Sequence, residues 1–140
     1  MKRLLIFILC ISVFTGCNTV DEGIATPITV AFAGDNLDDA LHFVDKTVTS
    51  TNYDLLFTTE TEVTDFKVLA MDESKKLAVE EELFCLHRFT PDISFAVSTY
   101  ISDATINRGI SYVDQNGEEF IFSIVISMKD GSVSLKEFKE

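Results

Sequence analysis

Basic residues are scarce in this chain: 11 lysines and arginines stand against 23 aspartates and glutamates, a formal charge of −12 over 140 residues. Such a polyanion repels phosphate backbones and gains nothing from counterion release, which excludes nucleic acid as a partner. Glycine is thin as well. Six glycines lie scattered, so neither a phosphate-cradling loop nor a G-x-S-x-G elbow can be assembled, and nucleotide enzymes and ordinary serine hydrolases lose their basis. Long apolar runs are also missing. A helix needs roughly 20 apolar residues to cross about 30 Å of hydrocarbon, whereas Leu4 to Phe14 offers 11.

That short run is informative through its flanks. Lys2 and Arg3 precede it and the small residues Thr15 and Gly16 follow it, directly before Cys17. A basic start, a short apolar core and a small-residue exit form a secretory layout. The segment Phe14-Thr15-Gly16-Cys17 resembles the lipobox of bacterial lipoproteins, with Phe14 where leucine is commonest. The resemblance implies that Cys17 receives a diacylglyceryl thioether, that the signal is cut before it, and that its new amino group is often acylated too. Several acyl chains, at about 0.8 kcal/mol per buried methylene, make attachment stable where a single chain is marginal. In that family an aspartate after the cysteine favours retention at the inner membrane. Here Asn18 follows, which implies an outer-membrane address facing the periplasm if the host has two membranes.

Cleavage would leave 124 residues, enough for one core and too few for two. Loss of Lys2 and Arg3 takes the balance to 9 bases against 23 acids, or −14. A domain that acidic is repelled by anionic head groups, so membrane residence must come from the acyl chains on Cys17. Of three cysteines, Cys10 leaves with the signal and Cys17 is lipidated, so Cys85 stands as a lone thiol without a disulfide partner. The expected organisation is a signal at 1–16, a lipidated tether at 17–26 and a single domain at 27–140. A nine-residue coil from Asn18 to Thr26 would reach on the order of 17 Å, enough to lift the domain clear of the head groups.

Within the domain, Ile28 to Ala33 reads as a strand broken by Gly34-Asp35-Asn36. Leu37, Ala40, Leu41, Val44 and Val48 then fall at i, i+3, i+4, i+7 and i+11. Asp38, Asp39, His42, Asp45 and Lys46 lie opposite, which predicts an amphipathic helix capped by Asp35 or Asn36. Tyr53 to Thr59 and Val63 to Met71 read as strands. Glu73 to Phe89 carries good helix formers without a clean stripe, so a helix is expected to about Glu82, with 83–89 either continuing it or turning into a strand. Ile93 to Ile101, Ile106 to Val113, Glu119 to Ser127 and Ser132 to Phe138 read as further strands. Asn116-Gly117 and Asp130-Gly131 supply the positive φ of tight hairpins between the last three. Phe120 to Ile126 is apolar on both faces, which places it inside the sheet under a helix, while Ser132 to Phe138 suits an edge.

The expected class is therefore α+β: a curved, mainly antiparallel sheet with one or two helices packed on one face. The final hairpins, with Lys129-Asp130-Gly131 leading into the closing strand, resemble the end of the nuclear-transport-factor-like cone folds over about 30 residues. The resemblance implies a cavity between helix and sheet and no ligand residue.

Candidate chemistry is sparse. Cys85 and His87, two apart in a strand, would share a face, with His42 approaching from the first helix as a nucleophile's base. No orienting group or oxyanion hole accompanies them. The same three residues fall one ligand short of a structural zinc site, and a packed core thiol is the default for Cys85. Asp35 to Asp39 and Asp114 to Glu119 depart from the calcium-loop pattern and are better explained by capping and a turn. Glu80-Glu81-Glu82 reads as a solvated acidic run. No catalytic residue, cofactor or metal is expected. The expected function is a lipid-anchored, non-enzymatic binding or interaction module of the cell envelope, taking an envelope protein as its partner. A carrier of a small apolar ligand is the alternative, and a Cys85-dependent enzyme the third.

Overall fold

The computed structural model describes residues 25–72 and 79–138; Cys17 and the expected signal at 1–16 lie outside the described residues. Among the described residues nine strands run in chain order: β1 Ile28–Phe32, β2 Leu41–Val44, β3 Tyr53–Thr59, β4 Val63–Met71, β5 Val79–Phe89, β6 Phe95–Thr99, β7 Arg108–Val113, β8 Glu119–Ile126 and β9 Val133–Glu137. They form a four-stranded sheet, β1-β3-β6-β2, and a five-stranded sheet, β5-β4-β7-β8-β9.

This corrects the α+β expectation. Strands make up 56 % of the described residues, and no helix among them reaches seven residues. The expected first helix is instead a 3-10 turn, Gly34–Asp39, followed by β2. Its cap position is Ala33, with no side-chain cap, so neither Asp35 nor Asn36 plays that role. Two periodicities competed over the same residues. The 3.6-residue stripe would bury Leu41 and Val44, yet these are 52 % and 44 % exposed; Phe43 packs against the core, and Asp45, on the stripe's polar side, is 2 % exposed. Period two won because Phe43 and Val44 suit a pleated surface and the segment has a strand to pair with. β2 lies parallel to β6, with Leu41 opposite Phe95 and Val44 opposite Ser98. The second expected helix is also corrected: residues 73–78 lie outside the described residues, Val79 to Glu82 are strand, and the open stretch 83–89 continues it as β5, paired antiparallel with β4.

The remaining strands fall where patterning puts them. β3 and β4 have the expected bounds. The closing meander β7-β8-β9 is antiparallel, and β9 is an edge. Gly117 and Gly131 carry φ of 81° and 73° at its two turns, where a Cβ would be strained. β8 lies inside the sheet as expected, but what covers its inner face is the other sheet.

The two sheets enclose one apolar core. Leu55 and Phe57 of β3 and Phe95 and Val97 of β6 meet Phe66 and Val68 of β4, Phe89 of β5, Ile110 and Tyr112 of β7, and Phe122 and Ile124 of β8. Phe66 is the hub, with its ring centroid 5.5 Å from Phe57, 4.8 Å from Phe89 and 5.9 Å from Phe95. Such tilted and edge-on pairs add about 0.5–1.5 kcal/mol each beyond area burial. Thr26 fastens the chain where the domain begins: its hydroxyl oxygen accepts from Tyr112 Oη at 2.9 Å and from the Ile28 N–H at 3.1 Å.

Gly109 sits where β7 passes between β4 and β8. A Cβ there would lie 2.5 Å from the Phe122 carbonyl oxygen and 2.5 Å from Met71 Sδ. The thioether can move, but the sheet's backbone cannot without breaking its ladder. Gly109→Ala is therefore expected to lower stability by about 2 kcal/mol or more in urea unfolding; an unchanged midpoint would contradict this register.

Candidate functional site

Polar chemistry in the described residues gathers at three places. The first is inside. Asp45 follows β2 and Arg108 opens β7, so this ion pair joins one sheet to the other across the interior. Arg108 donates from Nη2 and Nε to Asp45 Oδ2 at 2.9 and 3.2 Å, and from Nη1 to the Asn107 carbonyl at 2.7 Å. Thr99 Oγ1, at the end of β6, donates to the same Oδ2 at 2.6 Å. The other carboxylate oxygen accepts from the Thr47 hydroxyl at 2.6 Å and the Thr47 N–H at 2.9 Å. Burial alone would push the Asp45 carboxyl up. The donors from Thr47, Thr99 and Arg108 more than offset that and hold it at about 2. The group is structural: both charges are spent on each other.

The second place is the outer face of the four-stranded sheet. His42 on β2 and Asp54 on β3 flank Ser98 on β6. His42 Nε2 lies 2.7 Å from Ser98 Oγ, and that hydroxyl donates to Asp54 Oδ1. Serine stands in the middle here. A nucleophilic triad instead places the histidine between serine and carboxylate, so the arrangement is a cross-strand polar ladder. It also takes His42 away from Cys85, which lies on the other sheet.

The third place is the outer face of the five-stranded sheet, where the strand geometry does bring Cys85 and His87 together. Cys85 Sγ lies 4.0 Å from His87 Nδ1. Cys85 is half-buried on the side of β5 away from the core and is not the packed core thiol that its residue type suggests. Asp65 of β4 joins them, its Oδ1 3.3 Å from the same Nδ1. A β-bulge places it there. From Thr64 to Lys67 β4 advances three residues while β7 advances two, from Val113 to Ser111. The extra residue lets Val63 and Phe66 both enter the core while Asp65 stays outside. Asp65 takes up the distortion with φ of 47°, a conformation aspartate tolerates better than most residues.

Sulfur and carboxylate face one nitrogen, so His87 cannot take a proton from Cys85 at one ring atom while Asp65 orients the other. Burial, followed by the nearby carboxylates of Glu82 and Asp65, also pushes the Cys85 thiol above its ordinary range, with Lys67 opposing. The trio is a poor nucleophilic relay. It is a set of three metal-ligating atoms, all within 4.8 Å of one another.

The acidic segments that the sequence offers as cation sites take ordinary roles. Asp114 Oδ1 accepts from the Asn116 and Glu118 N–H groups at 2.9 Å each, closing the β7-β8 turn. Glu80 to Glu82 begin β5 on its exposed stretch, and Glu82 meets Lys67 Nζ at 3.3 Å. Sequence reasoning misses the roles of Asp45, Arg108, Asp54, Ser98 and Asp65. Only Arg108 carries a legible signal: a guanidinium in an otherwise apolar strand requires a buried partner.

Asp45→Asn would leave the Arg108 charge buried without its counter-ion, and a loss of roughly 3–5 kcal/mol is expected. The double replacement Asp45→Leu with Arg108→Met should be closer to wild type than that single change. Because the folded-state carboxyl lies below its unfolded value, its contribution is complete above about pH 4. It should fade, by about 2 kcal/mol, as pH falls towards 2. Urea titrations across that range, compared with the double variant, measure both effects; equal acid sensitivity would contradict them. Comparison of the chain with protein-family models, with curated proteins and with solved structures finds no match.

Proposed function

We propose that this chain is a lipid-anchored, non-enzymatic binding or interaction module of the bacterial cell envelope. The observation that carries the proposal is the N-terminal layout: Lys2-Arg3, the apolar run Leu4 to Phe14, and Thr15-Gly16 before Cys17. Cys17 bears the acyl chains, and Asn18 directs the protein to the outer membrane where the host has two membranes. At −14 without its signal, the domain has no electrostatic hold on anionic lipid, so the anchor is the membrane signal by itself. Among the described residues no helix is long and apolar enough to cross a membrane.

Two features favour binding over catalysis. The thiol and imidazole of Cys85 and His87 are not arranged as a relay, and Ser98 stands between its histidine and its carboxylate. The space between the sheets is filled by Phe57, Phe66, Phe89, Phe95 and Phe122, each at most 2 % exposed. Recognition of an envelope partner on the outer surfaces is thus preferred to carriage of an apolar molecule inside.

Cys17→Ala should abolish incorporation of a tagged palmitate and move the protein from the membrane pellet to the soluble fraction. Continued pelleting would overturn the anchor. Turnover of any substrate that disappears in Cys85→Ser would overturn the non-enzymatic part.

A further inference from the structure

We propose that Asp65, Cys85 and His87 form a binding site for one divalent transition-metal ion of borderline softness, zinc(II) above all. The site stands on side-chain geometry in the β4-β5 pair and is independent of the lipid anchor.

Three lone-pair donors converge on one point of an outer sheet face. His87 Nδ1 lies 3.3 Å from Asp65 Oδ1 and 4.0 Å from Cys85 Sγ, and all three atoms lie within 4.8 Å of one another. Tetrahedral zinc, with bonds near 2.0–2.2 Å to nitrogen and oxygen and 2.3 Å to sulfur, sets its ligand atoms about 3.4–3.6 Å apart. The nitrogen–oxygen separation already fits, and the Cys85 sulfur must move closer to complete the set. Sulfur and carboxylate oxygen both face the same ring nitrogen. A metal at the centre serves all three.

Donor type and charge agree. A thiolate, a carboxylate and a neutral imidazole sum to −2 and neutralise a divalent ion, and the thiol proton is released to solvent as the metal–sulfur bond forms. Sulfur and imidazole select against magnesium and calcium, which want oxygen ligands throughout. The backbone holds the donors in place. Cys85 and His87 are fixed two apart on β5, and the bulge in β4 brings Asp65 to the same face. His87 is 91 % exposed and Asp65 half-exposed at their side chains, so the fourth position opens to water. Three protein ligands with one open position make an accessible ion that exchanges or accepts a further ligand.

The test uses the full-length chain in detergent, stripped with a chelator and titrated with zinc chloride against a chromophoric indicator. Cobalt(II) serves as the spectroscopic probe. One equivalent of zinc should bind, and cobalt should produce a thiolate-to-metal charge-transfer band. Cys85→Ser should remove the band, which also rules out Cys10 and Cys17 as its source. Cys85→Ser and His87→Gln should each weaken zinc binding by more than the roughly tenfold that loss of an outer-shell partner costs. Asp65→Asn should weaken it as well, and His42→Gln, on the other sheet, should leave it unchanged. All are surface changes, and circular dichroism with equal unfolding midpoints would establish that each variant folds. Absence of binding by the wild-type chain, or wild-type affinity in Cys85→Ser or His87→Gln, would overturn the proposal.

Discussion

The two sheets are held in register by a buried ion pair. Asp45 and Arg108 are 63 residues apart in the chain and meet inside, with Oδ2 receiving two guanidinium N–H groups and the Thr99 hydroxyl. Burying two charges costs several kcal/mol per ion, and the cost is met only when the remaining hydrogen-bonding capacity is filled. Here it is filled by Thr47 just after β2, by Thr99 at the end of β6 and by the Asn107 carbonyl just before β7. Those three segments must reach one place together. The pair therefore ties the end of β2 in one sheet to the start of β7 in the other.

The same requirement explains why β2 is a strand. A helix from Leu37 to Val48 would have turned Asp45 towards water and left Arg108 buried alone in β7. Pairing β2 parallel to β6 instead carries Asp45 inward and closes the end of the four-stranded sheet. Within the five-stranded sheet, the bulge in β4 reconciles two demands: Val63 and Phe66 belong to the core, and the strand must stay paired with both β5 and β7. The residue left over is Asp65, which is why a carboxylate faces Cys85 and His87 on the outer surface.

Much of the strand layout was legible in the sequence. Alternating and β-branched runs marked β3, β4, β7 and β8, and Asn116-Gly117 and Asp130-Gly131 marked the turns between the last three, because these signals act over a few residues. The helix expectation failed over Leu37 to Val48, where five apolar positions fit a 3.6-residue period while Leu41 to Val44 paired as a strand. The helix expected to about Glu82 failed for a related reason: good helix formers from Val79 onward were recruited by pairing with β4. The shared face of Cys85 and His87 followed from strand parity. Asp65 did not, because a bulge inserts one residue and shifts parity, and nothing in Thr64-Asp65-Phe66 announces it.

By itself, the sequence determined the acidic charge, the basic, apolar and small-residue pattern that precedes Cys17, and the order of most strands. These rest on composition and on neighbours a few residues apart. Only the tertiary structure decided that a second sheet covers the first, that Asp45 belongs inside, and that His42 and Cys85 lie on different sheets. Those outcomes depend on contacts between residues tens of positions apart, where desolvation of a charge or an aromatic ring outweighs local preference. Cover and partnership are properties of the assembled core, and a one-dimensional pattern records which face of a strand is apolar without recording what will lie against it.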